Sequence, residues 1–182
     1  FDIRQLHQGP LYTVDHSMVF SKSGPERQSC IGVEFHSEGK LLLMTSRLGE
    51  AVVVNPSYNG IQTRSPVLAS YFHDHATRHF GPESHPSTPA RYVTPGSSMS
   101  LVAHVGSSLV TGGRHVLFHE GFDGDLLSGE TERLCQLRYM VQLRETEHPR
   151  AIAVHPTLSM VAIAGKSVQW LVLNTSANNG RQ

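Results

Sequence analysis

What most constrains this chain is a series of short apolar segments, each cut off from the next by turn-forming residues. Leu11 to Phe20, Cys30 to His36, Leu41 to Thr45, Ala51 to Val54 and Ile61 to Arg64 follow one another in the first 64 residues. Within the second of these, Ile31, Val33 and Phe35 fall on one face and Gly32, Glu34 and His36 on the other. That period of two marks an antiparallel strand with one face toward a core. The connections Ser37-Glu38-Gly39-Lys40, Arg47-Leu48-Gly49-Glu50 and Asn55-Pro56-Ser57-Tyr58-Asn59-Gly60 place Gly, Asn and Pro where tight hairpins need them. A sequential antiparallel meander is the expectation.

At Ser65 the pattern changes. Ser65 is suited to cap a helix, Pro66 to its first turn, and Gly81-Pro82 to its end. Leu68, Phe72, Ala76 and Phe80 recur every four residues, which predicts a helix with an apolar stripe. Residues 81–98 are rich in Pro and Ser and lack apolar periodicity, so they read as a connector. Strands resume at Leu101 to Val105, Ser108 to Thr111 and His115 to His119. A second helix is predicted from near Ser128 to before Pro149, with Leu134, Leu137 and Val141 facing the core. Ala151 to Val154, Met160 to Ala164 and Val168 to Leu173 have the length and β-branched content of strands. The fold class is then α+β in two lobes, residues 1–82 and 99–182 joined by a linker at 83–98, each an antiparallel sheet on one helix. A faint echo links Gly32-Val33-Glu34-Phe35-His36 and Leu41-Leu42-Leu43 with Ile152-Ala153-Val154-His155-Pro156 and Met160-Val161-Ala162.

Composition narrows the function. The 182 residues carry 15 Lys and Arg against 15 Asp and Glu, a formal net charge of zero, so no general attraction to nucleic acid or an anionic membrane is expected. No apolar run reaches the roughly 18 to 20 residues that cross a bilayer, and Phe1 opens the chain without a signal-peptide pattern, so the chain reads as soluble and part of a longer protein. Cys30 and Cys135 are too few and too distant for a disulfide framework or a zinc knuckle, which suits a reducing intracellular compartment, with both packed as small buried groups. Twelve histidines invite a metal reading. The best cluster is His73, Asp74, His75 and His79, but no Glu stands between His75 and His79 to complete a His-Glu-x-x-His motif, so no metal or cofactor is assigned. There is no Gly-x-Ser-x-Gly elbow, phosphate-binding Gly-rich loop or Walker lysine, so no catalytic residue is assigned either. Trp170, in an apolar strand, reads as core rather than as an exposed anchor.

The run Ser29-Cys30-Ile31-Gly32-Val33-Glu34-Phe35, with Lys40-Leu41-Leu42-Leu43, Gly49 and Ala51-Val52-Val53-Val54, resembles the strand pattern of a polo box. Pro66 to Phe72 with His79-Phe80, and Glu132 to Val141, resemble its two closing helices. The resemblance spans roughly residues 15–146. It implies a divergent polo-box pair like those of polo-like and kinetoplastid kinetochore kinases: a non-catalytic module that binds kinetochore or spindle-structure proteins and directs a parent kinase to kinetochores in the nucleus or to a similar mitotic structure such as the centrosome. The early Trp and the His-x-Lys pair with which ordinary polo boxes read phosphopeptides have no counterpart; Trp170 is the lone Trp and His148-Pro149-Arg150 the nearest approach, so phosphopeptide binding is not implied. The rival is a WD-type β-propeller scaffold, since Val33 to Asn55 and Ile152 to Asn174 both resemble the inner strands of a blade. Helix content separates the two.

Overall fold

The computed structural model describes residues 19–20, 29–36, 40–46, 50–55, 66–71, 80–81, 88–93, 101–108, 114–122, 124, 132–144 and 149–173. Among the described residues the regular elements are strands: β1 (Cys30–Phe35), β2 (Leu42–Ser46), β3 (Ala51–Val54), β4 (Val67–Ser70), β5 (Phe80–Gly81), β6 (Arg91–Val93), β7 (Leu101–Ser108), β8 (Arg114–Glu120), β9 (Arg133–Leu134), β10 (Leu137–Gln142), β11 (Ala151–Val154), β12 (Met160–Ala164) and β13 (Val168–Val172). They form three sheets. The first is ordered β1-β2-β3-β4-β9, the second β10-β8-β7-β5 with β6 also on β7, and the third β11-β12-β13. All pairings are antiparallel except β4 with β9.

The sheets are stacked, and side-chain alternation shows how. In the first sheet Leu43, Val53 and Ala69 lie in register and point inward with Leu41 and Tyr71. They share a core with Tyr92, Val102 and Phe122 around the second sheet. Met44, Val52, Val54 and Val67 point the other way, where Val19 and Phe20 cover them. Val102 of β7 faces the first sheet, while its neighbours Leu101 and Ala103 face the third, packing with Val116, Phe118, Ile152, Val161 and Ile163. The second sheet is thus the middle layer of three and buries both faces.

The two helices expected from the sequence are replaced by strands. Val67 to Ser70 is β4, locked between neighbours: Asn55 donates to the Pro66 carbonyl (3.1 Å) and Tyr71 to that of Ala51 (2.9 Å). Residues 72–79 of that predicted helix lie outside the described residues. In the second region Arg133–Leu134 is β9 and Leu137–Gln142 is β10. The backbone hydrogen bonds there run to neighbouring strands of the same sheet: Cys135 N–H to Ser70 O at 3.0 Å, Glu120 N–H to Gln136 O at 2.9 Å, Leu143 N–H to Arg114 O at 2.8 Å. Each such bond satisfies a group that a helix would have satisfied locally, while Cys135 and Leu143 enter the core. Leu134 and Leu137, expected in the core, are exposed. The α+β reading with one helix per lobe is therefore corrected to an all-strand build. Strand β6 falls within the stretch read as a connector, and its Val93 and Tyr92 are buried. Of the cysteines, Cys135 is buried as expected, whereas Cys30 is exposed.

Candidate functional site

Strands β1, β6 and β11, one from each sheet, come together along one seam. Gly32 of β1 backs directly onto the Pro89 ring, which leaves no room there for a Cβ. Two residues on, the Glu34 carboxylate accepts the Tyr92 N–H of β6 at 3.0 Å, and the buried His36 ring meets Tyr92 edge-on with centroids 5.1 Å apart. Burial holds the Glu34 carboxyl above its usual range, opposed by the Tyr92 N–H and the nearby Arg91. Thr45 adds a bond by accepting the Ala90 N–H at 2.9 Å. On its other side β6 lies against β11. Strands β1, β6 and β11 therefore sit side by side without pairing with one another.

The faint echo in the sequence is real geometry. At the end of β1 the His36 N–H donates to Leu41 O at 2.9 Å, and at the end of β11 the His155 N–H donates to Met160 O at 3.0 Å. Phe35 pairs with Leu42 as Val154 pairs with Val161, so the two hairpins match residue for residue. The second is braced by the His155 Nδ1, which accepts the N–H groups of Thr157 (3.2 Å) and Leu158 (3.0 Å).

Between the first and middle sheets lies a buried polar pair. His104 of β7 and His119 of β8 stack with centroids 4.9 Å apart and an interplanar angle of 16°. His104 Nε2 and His119 Nδ1 are 3.2 Å apart, one donating and the other accepting. The Tyr71 ring meets His119 edge-on at 5.9 Å. Burial pushes the His104 pKa down to about 4, with a backbone hydrogen bond at Val105 opposing, so the imidazole is neutral near pH 7. Burial likewise pushes the Tyr71 hydroxyl well above the ordinary tyrosine range. Sealed from solvent, this cluster holds the two sheets together and offers no access to a substrate.

The exposed chemistry is apolar. On the face of the third sheet turned away from the middle one, Trp170 and Val172 are each 64% exposed, and Val168 is exposed beside them. Trp170 is paired with Ala162, and Ala162 with Ala153, so a bulky ridge on β13 borders a floor of alanines on β12 and β11. At the opposite end of the stack Val33 and Phe35 of β1 are exposed, Phe35 at 62%. Tyr139 and Met140 are exposed on β10, the edge strand of the middle sheet.

The residues singled out from sequence fare unevenly. His73, Asp74, His75 and His79 lie outside the described residues, and among the described residues no group of three or more His, Cys, Asp or Glu is placed to hold a metal ion. Trp170, read as core, is exposed. The His104–His119 pair was not read from the sequence; its available signal was His115 and His119, four residues apart and so on one face of an apolar strand. Among the described residues no helix is long and apolar enough to cross a membrane. No family model, curated protein or solved structure matches the chain.

Proposed function

We propose that this chain is a non-catalytic protein-binding scaffold of the β-propeller kind, its three sheets acting as successive blades. The observation that carries the reading is the seam: three sheets, antiparallel but for the β4–β9 pair, stacked face to face with β1, β6 and β11 adjacent, the first and last of these opening on the same hairpin. The adjacent strands β1, β6 and β11 begin at residues 30, 91 and 151, about 60 apart. That exceeds the roughly 40 to 45 residues of a WD-type repeat. The excess lies in the long connections, Asn55 to Pro66, Tyr71 to Ala90 and Gly121 to Gln136, the second of them interrupted by the two-residue β5 and the third by the two-residue β9. Recruitment to kinetochores is what the resemblance to a polo box implies; the strand-built sheets add no argument for it, so the reading stops at protein binding.

A sealed polar centre and exposed aromatic and apolar side chains at the periphery suit a platform whose affinity comes from a few buried anchors. Tyr139 tests it. With a photoreactive phenylalanine analogue at this position in cells making the protein, irradiation should yield discrete covalent adducts with other polypeptides. If neither Tyr139 nor Leu158 gives an adduct in a folded protein, the scaffold reading fails.

A further inference from the structure

We infer that the open edge of β10 takes an extended segment of a protein partner as an added strand of the middle sheet. The inference rests on the scaffold reading above and names how its partner is held. Just past the end of β10 the Leu143 N–H donates to the Arg114 carbonyl, which fixes the alternation along the strand. Tyr139 and Val141 turn their backbone groups toward β8, and Met140 and Gln142 turn theirs outward, where β10 has no second neighbour among the described residues. Comparable edge groups are capped within the chain. The Glu34 carboxylate accepts the Tyr92 N–H of β6, and the Gln169 side chain accepts the Arg144 N–H beside this same edge at 3.4 Å. Among the described residues no such cap reaches Met140 or Gln142.

The side chains of β10 suit a strand with neighbours on both sides. Leu137 and Met140 are exposed on the side of the first sheet, with their partners His119 and Leu117, and Tyr139 is exposed on the side of the third, with its partner Phe118. Strand β13 is also an edge, but it exposes Val168, Trp170 and Val172 on one face and half-buries Gln169 and Leu171 on the other. A strand added to β10 buries apolar area on both faces while its backbone bonds Met140 and Gln142. Charge narrows the partner. Arg138 is already paired with Glu120, whereas no carboxylate among the described residues pairs with Arg144, exposed at the end of the edge. The segment that fits is extended, apolar opposite Leu137 to Met140, and acidic where it passes Arg144.

Peptides selected on the purified chain from a displayed library of random dodecamers are the probe, and those recovered should be apolar with an Asp or Glu. In hydrogen exchange followed by NMR, the Met140 and Gln142 amides should exchange fast in the free chain and slow by about ten-fold or more with peptide bound, while that of Val141, bonded to β8, is slow in both. Gln142→Pro removes one outward N–H and leaves the ladder to β8 intact, so it should weaken peptide binding about ten-fold, whereas Gln142→Ala keeps the N–H and should stay within about three-fold. A bound peptide that protects neither amide, or a selection yielding no peptide sensitive to Gln142→Pro, would overturn the added strand; if that variant fails to fold, amide exchange in the unaltered chain decides alone. Protection of the same two amides without peptide, in step with dimers in sedimentation, would make a second copy the occupant and overturn a partner's segment. The Tyr139 adducts keep the scaffold reading separate. If they persist undiminished in Gln142→Pro, protein binding stands and strand addition falls.

Discussion

The middle and third sheets are built from strands of comparable apolarity and meet opposite fates. Strand β8 runs Arg-His-Val-Leu-Phe-His-Glu, with two histidines among its apolar residues, and everything from His115 to His119 is buried. Strand β13 runs Val-Gln-Trp-Leu-Val, more apolar residue for residue, and it alternates exposed and half-buried. Hydrophobicity of a strand therefore does not report its burial; the number of neighbours on its faces does. The middle sheet has a layer on each side and can bury polar groups that bond one another, as His104 and His119 do. The third sheet has a layer on one side and leaves even a tryptophan in water.

The largest expected effect contrasts two aromatics. Phe118→Ala opens a cavity in the doubly covered sheet and should cost about 3 to 5 kcal/mol in urea denaturation. Trp170→Ala removes a larger side chain, yet it should cost less than about 0.5 kcal/mol. Equal losses would erase the distinction between the two sheets.

Acid should act on the middle sheet next. The His104 pKa is lowered from 6.5 to about 4 by burial, so the unfolded chain takes up its proton first. Stability is complete above pH 6.5 and falls between 6.5 and 4, by on the order of 3 kcal/mol from this group. Replacing both His104 and His119 with Leu should flatten denaturation midpoints across that window, because the titrating imidazole is gone and neither histidine is left facing a lost partner. An unchanged pH profile in the double variant would assign the acid sensitivity elsewhere.

How far the sequence could be read follows from the same contrast. Strands β1, β3, β11 and β12 were legible because period-two patterns or short β-branched runs stood between clear turns. The segments read as helices misled for a physical reason. Leu134, Leu137 and Val141 have helical spacing, but their alternative partners, β4 and β8, are distant in sequence, and hydrogen bonds to those strands decide the outcome. Pro66 fits the start of a helix and equally the start of a strand, where its carbonyl accepts from Asn55. The seam was visible only as the echo around His36 and His155; nothing local to Gly32 announces Pro89, which stands 57 residues away.

That seam supplies a smaller effect. Gly32→Ala places a methyl group against Pro89, whose ring atoms are tied to the backbone and cannot swing aside. A loss of about 1 to 3 kcal/mol is expected from overpacking. Gly124, whose φ of 121° sits in the region that favours glycine, has open space beyond an ordinary contact to Leu41, so Gly124→Ala tests backbone strain without a clash. If the two substitutions cost the same, close approach of β1 and β6 is not what demands a glycine at position 32.

The smallest effect falls on the edge of the middle sheet, where helix and strand give opposite answers. In a helix with its stripe through Leu134, Leu137 and Val141, an aspartate at position 137 buries an unpaired charge and unfolds the protein. In β10 the Leu137 side chain is exposed on an edge strand, and its neighbour Arg138 already forms an exposed ion pair with Glu120. Leu137→Asp should therefore cost no more than about 1 kcal/mol, the span of strand preference at a surface position. Leu143, just past the end of the same strand, is buried in the core shared with the third sheet. Leu143→Asp should cost several kcal/mol, since a carboxylate there has neither solvent nor a countercharge to offset its desolvation. Paired urea titrations measure both. A greater loss at position 137 than at position 143 would restore the helix and remove β10 from the sheet.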